Sequence, residues 1–383
     1  MDFPPNNLKS DCCTIHRTAL ETTSTKFRKM QNRYGNDPHS FTLQPRSNNT
    51  EEADESKSPT GSEKLEYEEE IIAEAFARDG FFVLRQCFDK NVLLPFRDFA
   101  NAYFDKCFQD LFENGHIEVP SYRYREILSN VSNNTEKDTD ALNKQFRPRY
   151  TLQKGVKHGF REIVMRSPGR YEVSLQYFDQ NDTETMFHTY QLDENIPLLV
   201  EPLKSLLPRL VGPNYNDYED LKLCGLSLLI ATPGSSDQSW HADGCHVNLS
   251  KHLPCHVFNI FFPLQDTPHI LGPTEIRPAS QFLTRNLGPM MLAAKCRKTL
   301  RRPVWPELAF GDAIVLDYRV LHRGRANVSG DSAGTSEITT KTNNNEFKLM
   351  NRNYLVLCYS EPWFHDIINF PKRSMYDTKH EEN

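Results

Sequence analysis

Three side chains with metal-binding donors and one guanidinium group stand out in the C-terminal third of the chain. They are His241 and Asp243 in QSWHADG, His322 in DYRVLHRGRAN, and Arg352 in NRNYLVLCY. Two imidazoles and one carboxylate are the donor set that holds Fe(II) on one side and leaves three positions open, enough for a chelating co-substrate and O2. His241 and Asp243 are two apart and follow the apolar run 226–231. Residues at that spacing on a strand project to the same face, so both can reach one ion. Arg352 opens a further apolar run in which Tyr354, Val356 and Cys358 share its face. Its planar fork could therefore be aimed at a carboxylate on the far end of the co-substrate. Arg325, three residues after His322, competes for that role.

The His-x-Asp triplet is not specific by itself. With 13 histidines in the chain, roughly one such triplet is expected by chance. Two His-x-Glu triplets also occur, His116-Ile117-Glu118 and His380-Glu381-Glu382. The first follows a helix stop at Gly115 and the second lies in a charged tail, so neither is assigned a site. What singles out His241 and Asp243 is their setting beside Trp240 and the segments that could complete them. Residues 309–322, AFGDAIVLDYRVLH, form a Gly-Asp turn and then one run of strand composition ending in His322. Residues 257–264, VFNIFFPL, predict a buried strand, and a Pro-rich turn leads to GPTEIRPASQ at 272–281.

This combination resembles the phytanoyl-CoA dioxygenase family of iron(II)- and 2-oxoglutarate-dependent oxygenases. The matching pieces are GFFVL (80–84), PGSSDQSWHADG (233–244), VFNIFFPL, GPTEIRPASQ, GDAIVLDYRVLHRGRANVS (311–329) and RNYLVLCYSEPWFHD (352–366). They span about residues 63–370, and the His-x-Asp and LHRG pieces are the specific ones. The resemblance implies a double-stranded β-helix, with His241, Asp243 and His322 as iron ligands and Arg352 on the far carboxylate of 2-oxoglutarate. It implies hydroxylation of an unactivated C–H bond of a small organic substrate, with succinate and carbon dioxide as co-products. The retained carboxylate of Asp243 favours hydroxylation over halogenation; desaturation and ring closure share the same chemistry. Residues 329–346, SGDSAGTSEITTKTNNNE, are absent from the family's usual spacing and predict a flexible insertion between two strands.

The elements that must position these residues follow a helices-first, strands-after order, which predicts a mainly β, α+β fold with flanking helices and a jelly-roll core. Residues 1–62 are rich in Asn, Ser, Thr, Pro and charge and predict a disordered tail. An acidic helix is expected over about 63–79, with Leu65, Ile72 and Phe76 on one face and Gly80 as its stop. A strand over 81–84 and a long helix follow. Asp89 is its N-cap, Asn114 its end, and Leu93, Phe96, Phe99, Tyr103, Cys107 and Leu111 its core stripe. The helical part closes near residue 128, residues 129–145 are a polar loop, and residues 371–383 are a polar C-terminal tail.

At 383 residues and a net charge of −6, the chain is not built to coat nucleic acid or an anionic membrane. No apolar run approaches membrane-spanning length. MDFPPNNLKSDCC has no apolar signal core, the terminal EEN is no peroxisomal address, and nine unpatterned cysteines suit a reducing, cytoplasmic setting. The spacing of CHVNLSKHLPCH at 245–256 fits no zinc pattern well, so it is taken as a loop beside the metal. Arg147, Arg149, Lys154, Lys157, Arg161, Arg166 and Arg170 form a basic stretch with Glu162 the acid between. It is either a solvated strand face or a capture surface for an anionic small-molecule substrate. Two other classes share the ligands: a metal-dependent hydrolase, which needs no keto-acid clamp, and a jelly-roll binding or regulatory protein without turnover.

Overall fold

The computed structural model describes residues 39–41, 61–117, 122, 152, 154–177, 186–187, 195–212, 215–329, 350–365 and 369–377. The expected tail (1–62) therefore lies largely outside the described residues. So do the polar loop (129–145), the insertion apart from Ser329, and residues 378–383.

The first helix among the described residues, α1, runs Gly61–Asp79 and buries Ile71, Ile72, Ala75 and Phe76. Gly80 ends it, with φ +80° and its N–H on Phe76 O at 2.7 Å. The long helix, α2 (Lys90–Glu113), starts where expected: the Asp89 side chain accepts from Asn91 N at 2.8 Å. Leu93, Phe96, Ala100, Phe104, Cys107, Phe108 and Leu111 form its buried stripe. Among the described residues three short helices follow, α3 (Asn195–Val200), α4 (Leu207–Val211) and α5 (Leu287–Cys296). No helix among the described residues is long and apolar enough to cross a membrane.

The strands are β1 (Ser40–Phe41), β2 (Phe81–Leu84), β3 (Ile163–Ser167), β4 (Arg170–Ser174), β5 (Gln176–Tyr177), β6 (Met186–Phe187), β7 (Lys222–Ala231), β8 (Val257–Pro263), β9 (Thr274–Ile276), β10 (Ala313–Asp317), β11 (His322–Gly324) and β12 (Arg352–Ser360). Among the described residues, eight of them form one sheet in the order β1-β2-β10-β8-β12-β7-β4-β3. Among the described residues, only the β1–β2 pairing is parallel. β9 and β11 pair in a second layer, which single bridges extend to His241 on one side and Val304 on the other. β5 and β6 form a separate ribbon.

The sheet is apolar on both faces because both are covered. One face, with Phe258, Ile260, Phe262, Leu355, Leu357, Leu228 and Ile230, packs against the helices. The other, with Phe261, Ile314, Leu316, Tyr354 and Val356, packs against Ile276, Leu308 and Val320 of the second layer. Two facing antiparallel layers with helices on the outer side are the mainly β, jelly-roll arrangement expected from the order of elements.

One expected element is corrected. Residues 309–322 are not a single strand. β10 ends at Asp317 in the large sheet and β11 begins at His322 in the small one. The chain crosses between layers over Tyr318–Leu321, where it is pinned by a buried ion pair. Arg319 donates to Asp317 through Nε (2.9 Å) and Nη2 (2.7 Å), and to Leu253 O through Nη1 (2.9 Å). The carboxylate also accepts the Arg319 backbone N–H at 2.9 Å. Apolar periodicity could not show the break, because both layers bury the run.

Truncating one partner of such a pair strands the other charge away from water. Arg319→Leu should therefore lower unfolding free energy by about 3–5 kcal/mol, read as a shifted midpoint in urea denaturation. A loss within about 1 kcal/mol, the range of exposed pairs, would show that the crossover does not depend on it.

Candidate metal centre

Backbone hydrogen bonds place two of the three donors, and one ladder carries both. Residues 234–244 run antiparallel to residues 318–327. From one end, Gly234 N donates to Asn327 O (2.7 Å), Asn327 N to Ser235 O (3.0 Å) and Gln238 N to Gly324 O (2.9 Å). Side chains extend the ladder: Gln238 Oε1 accepts Gly324 N at 2.9 Å and Asp237 Oδ1 accepts Ala326 N at 2.7 Å. Then His241 and His322 exchange both backbone bonds, at 3.1 and 2.9 Å, and Gly244 N donates to Tyr318 O at 3.1 Å. His241 and His322 are thus directly opposite, and their rings sit 4.6 Å apart.

Asp243 is not on an extended strand, as the spacing suggested. It lies in a bend just past the His241 bridge. The bend brings its Oδ1 to 3.7 Å from His241 Nε2 and 3.6 Å from His322 Nε2. One donor atom from each residue lies within 4.8 Å of the others. Gly244 makes the bend possible: a Cβ there would overlap the Tyr318 ring.

The donors fit a divalent ion in chemistry as well as position. Both imidazoles have Nδ1 against a backbone carbonyl, His241 on Ser239 O at 2.8 Å and His322 on Val320 O at 3.1 Å. With Nδ1–H donated to carbonyl, each Nε2 keeps its lone pair for a metal. Burial, followed by the nearby His322, holds the His241 imidazole below its ordinary range, which favours the neutral ligand form. Asp243 Oδ2 accepts from Asn259 Nδ2 at 2.8 Å, leaving Oδ1 toward the histidines. The sequence reading passed over Asn259. Its signal was there, as the one amide in the apolar run VFNIFFPL.

Arg352 lies at the start of β12, opposite Ala231 of β7, on the inner face with Tyr354 and Val356. It is 1% exposed, stacks over the Tyr354 ring at 4.8 Å, and donates through Nη1 to Gly272 O. Its Nε has no hydrogen-bond partner among the described residues, and neither has the Tyr354 hydroxyl. Arg325 is placed differently: its guanidinium covers the Trp305 ring at 4.8 Å. His116 holds Met375 O at 2.7 Å, far along the chain from the three donors, and His380 lies outside the described residues.

The basic stretch divides. Arg147 and Arg149 lie outside the described residues, while Lys154, Lys157 and Arg161 are solvated or half-solvated. Arg166 pairs with Glu172 at 2.6 Å, and Ser227 donates to the same carboxylate at 2.8 Å. Arg170 is wholly buried, which the reading of a solvated face did not anticipate.

No family model matches the chain, and no curated protein matches it. Solved structures do. AviO1 from Streptomyces viridochromogenes Tue57 is 17% identical over 77% of this chain and 95% of its own, at a TM-score of 0.39. The non-heme alpha ketoglutarate dependent epimerase SnoN from nogalamycin biosynthesis is 14% identical over 76% and 82%, at 0.39. HygX from Streptomyces hygroscopicus, with nickel, 2-oxoglutarate and hygromycin B bound, is 12% identical over 76% and 86%, also at 0.39.

The Cys/His loop at 245–256 brings together no second three-donor set among the described residues. Its histidines pack instead. His246 Nε2 meets Thr284 Oγ1 at 2.8 Å, His252 stacks near Phe282 at 4.4 Å, and His256 stacks on Trp363 at 5.7 Å. Burial first, and then the Arg319 cation, pushes all three imidazoles down to about 4. An unfolded chain takes up these protons near pH 6.5, so the folded state loses stability as pH falls from there to about 4. Melting temperature should drop across that window, and His256→Phe should flatten part of the drop. Equal slopes in both proteins would mean that His256 does not carry it.

Proposed function

We propose that this chain is an Fe(II)- and 2-oxoglutarate-dependent dioxygenase that hydroxylates an unactivated C–H bond of a small organic substrate, releasing succinate and carbon dioxide. The reading rests on one observation above all: His241, Asp243 and His322 converge with both Nε2 lone pairs and one carboxylate oxygen turned inward. Arg352, buried on the same inner face with an unused Nε, supports a keto-acid co-substrate in particular. A hydrolase on the same ligands would have no use for it. The proposal takes residues 63–370 as a phytanoyl-CoA dioxygenase-like catalytic domain and places the protein in the cytoplasm, the latter on cysteine composition.

When bound, iron and the keto acid would supply an oxidant strong enough for an unactivated C–H bond. The chain's own residues then have four tasks. His241, Asp243 and His322 hold the ion by one side only, so the opposite positions stay available. Asn259 fixes the carboxylate rotamer and leaves Oδ1 to bind. Arg352, with its Nε unused, would pair with the remote carboxylate of 2-oxoglutarate. Phe261, Tyr354 and Val356 line the same face and keep water from the reaction. The partly exposed Arg166–Glu172 pair would offer polar contacts to a substrate, with buried Ser227 holding the Glu172 carboxylate.

Two expectations test this. His241→Ala, Asp243→Ala and His322→Ala should each abolish conversion of 2-oxoglutarate to succinate while the circular dichroism spectrum persists. Near-normal succinate from any of them removes that residue from the site. Separately, Arg352→Leu should weaken 2-oxoglutarate binding by about 30-fold or more, from roughly 2–5 kcal/mol for a desolvated pair that loses one partner. It should leave Fe(II) affinity unchanged, and Arg325→Leu should change neither. Anaerobic titration by the visible charge-transfer band of the chelate measures the keto-acid constants, calorimetric titration with Fe(II) alone measures the metal constants, and a large effect confined to Arg325→Leu would move the clamp there.

A further inference from the structure

Two thiols meet on the inner face of the large sheet, apart from the three donors. Cys224 of β7 and Cys358 of β12 have their sulfurs 3.3 Å apart, and the Cys224 thiol also lies 3.4 Å from Cys358 O. A shift of register brings them together. β7 and β12 pair residue for residue from Ala231–Arg352 to Gly225–Cys358, and then β7 skips one, so that Leu223 faces Tyr359. Cys224 is the extra residue of a β-bulge, in which two successive residues of one strand oppose one of the other. Strict alternation from Leu226 would turn Cys224 toward the helices. Instead Leu223 and Leu226 pack on the helix side, while Cys224 packs with Cys358, Val257 and Tyr318. Gly225 leaves the room for this, since a Cβ there would lie 3.1 Å from the Cys358 Cβ.

The two thiols differ in access. Cys358 is 9% exposed, whereas Cys224 is half-buried, so a small oxidant from solvent reaches Cys224 first. Facing residues of an antiparallel pair have Cα atoms about 4.5–5.5 Å apart, inside the span of about 4.4–6.8 Å that a disulfide bridges. The sulfurs must close by about 1.3 Å to bond, which is within the reach of side-chain rotation. Cys107 and Cys255 are different: both are buried, and burial pushes their thiols up, which keeps them protonated and unreactive.

We propose that Cys224 and Cys358 are a redox modification site, at which hydrogen peroxide converts the two thiols into a reversible disulfide across β7 and β12. One peroxide oxygen passes to the Cys224 sulfur, giving a sulfenic acid and releasing one water. The Cys358 sulfur then displaces the hydroxyl, which leaves with the Cys358 proton as a second water. The two thiols lose two electrons, and one peroxide is reduced to two waters. A dithiol reductant reverses the change by thiol–disulfide exchange. A transient link of this kind suits a chain whose other thiols stay reduced. It would form beside the donor set, because Cys358 is the register partner of Asn259 on β8, and Asn259 holds Asp243. The chemistry requires no metal, so its test stands apart from the dioxygenase reading.

The full-length protein is treated with hydrogen peroxide, alkylated and digested without reductant, and its peptides are identified by mass spectrometry. In the wild type, the peptides carrying Cys224 and Cys358 should be joined, and dithiothreitol should release both. Cys358→Ser should halt Cys224 at the sulfenic acid, which dimedone traps. In Cys224→Ser, Cys358 should survive the treatment as a thiol. The wild type alone can overturn the site: oxidation of the exposed Cys245 and Cys296 while Cys224 and Cys358 both remain thiols would do so without requiring any variant to fold. Cys224 joined to a cysteine other than Cys358 would also overturn it. Loss of the Cys358 thiol at the same rate in Cys224→Ser as in the wild type would overturn the order of attack.

Discussion

The site depends on one backbone constraint, the antiparallel ladder between residues 234–244 and 318–327. A two-ended bond exchange puts His241 directly opposite His322, although 81 positions of sequence separate the two. Without the ladder, the histidines would belong to two independent segments, and each would have to be fixed against its own conformational entropy. Side-chain contacts from Gln238 and Asp237 tie the same two segments at intermediate points, so the register cannot slip by a residue without breaking several bonds at once.

That ladder is itself held by the crossover at 317–322. Asp317 ends a strand of the large sheet, and its carboxylate holds the Arg319 side chain and backbone as the chain passes to the second layer. Gly244 then lies flat against the Tyr318 ring on the same crossover. The three donors are therefore positioned by the change of layer: His322 lies at its end, and the bend bearing Asp243 packs on its first residue. A buried ion pair is an expensive way to hold a turn, and here its geometry is nearly complete, with both carboxylate oxygens and all three guanidinium nitrogens used.

The inner face of the sheet is divided along its length. Near β8 it presents Asn259 to the Asp243 carboxylate, in the middle Phe261 and Val356, and at the start of β4 and β12 two arginines. From the three donors outward the face passes from an amide-supported carboxylate to apolar walls and then to positive charge. Such an order suits a short ligand with a chelating head and an anionic tail.

Much of this was legible in the residues. The donor types, the cap at Asp89, the stop at Gly80 and the alternation behind Arg352 are local: each follows from side-chain chemistry and a period of two or 3.6. Three things were not. The run 309–322 reads as one strand because two apolar layers bury it equally, and only packing shows where it changes layer. Asp243 shares a side with His241 through a bend at Gly244 and not through strand alternation, because the Tyr318 ring that demands glycine comes from a distant segment. Arg170 reads as one more cation in a basic, water-facing stretch, yet its burial is decided by the strands that flank it. The sequence by itself determined which groups could bind a metal and an anion. The tertiary structure alone decided which of them meet, because proximity across a sheet is set by long-range register, and no local pattern encodes it.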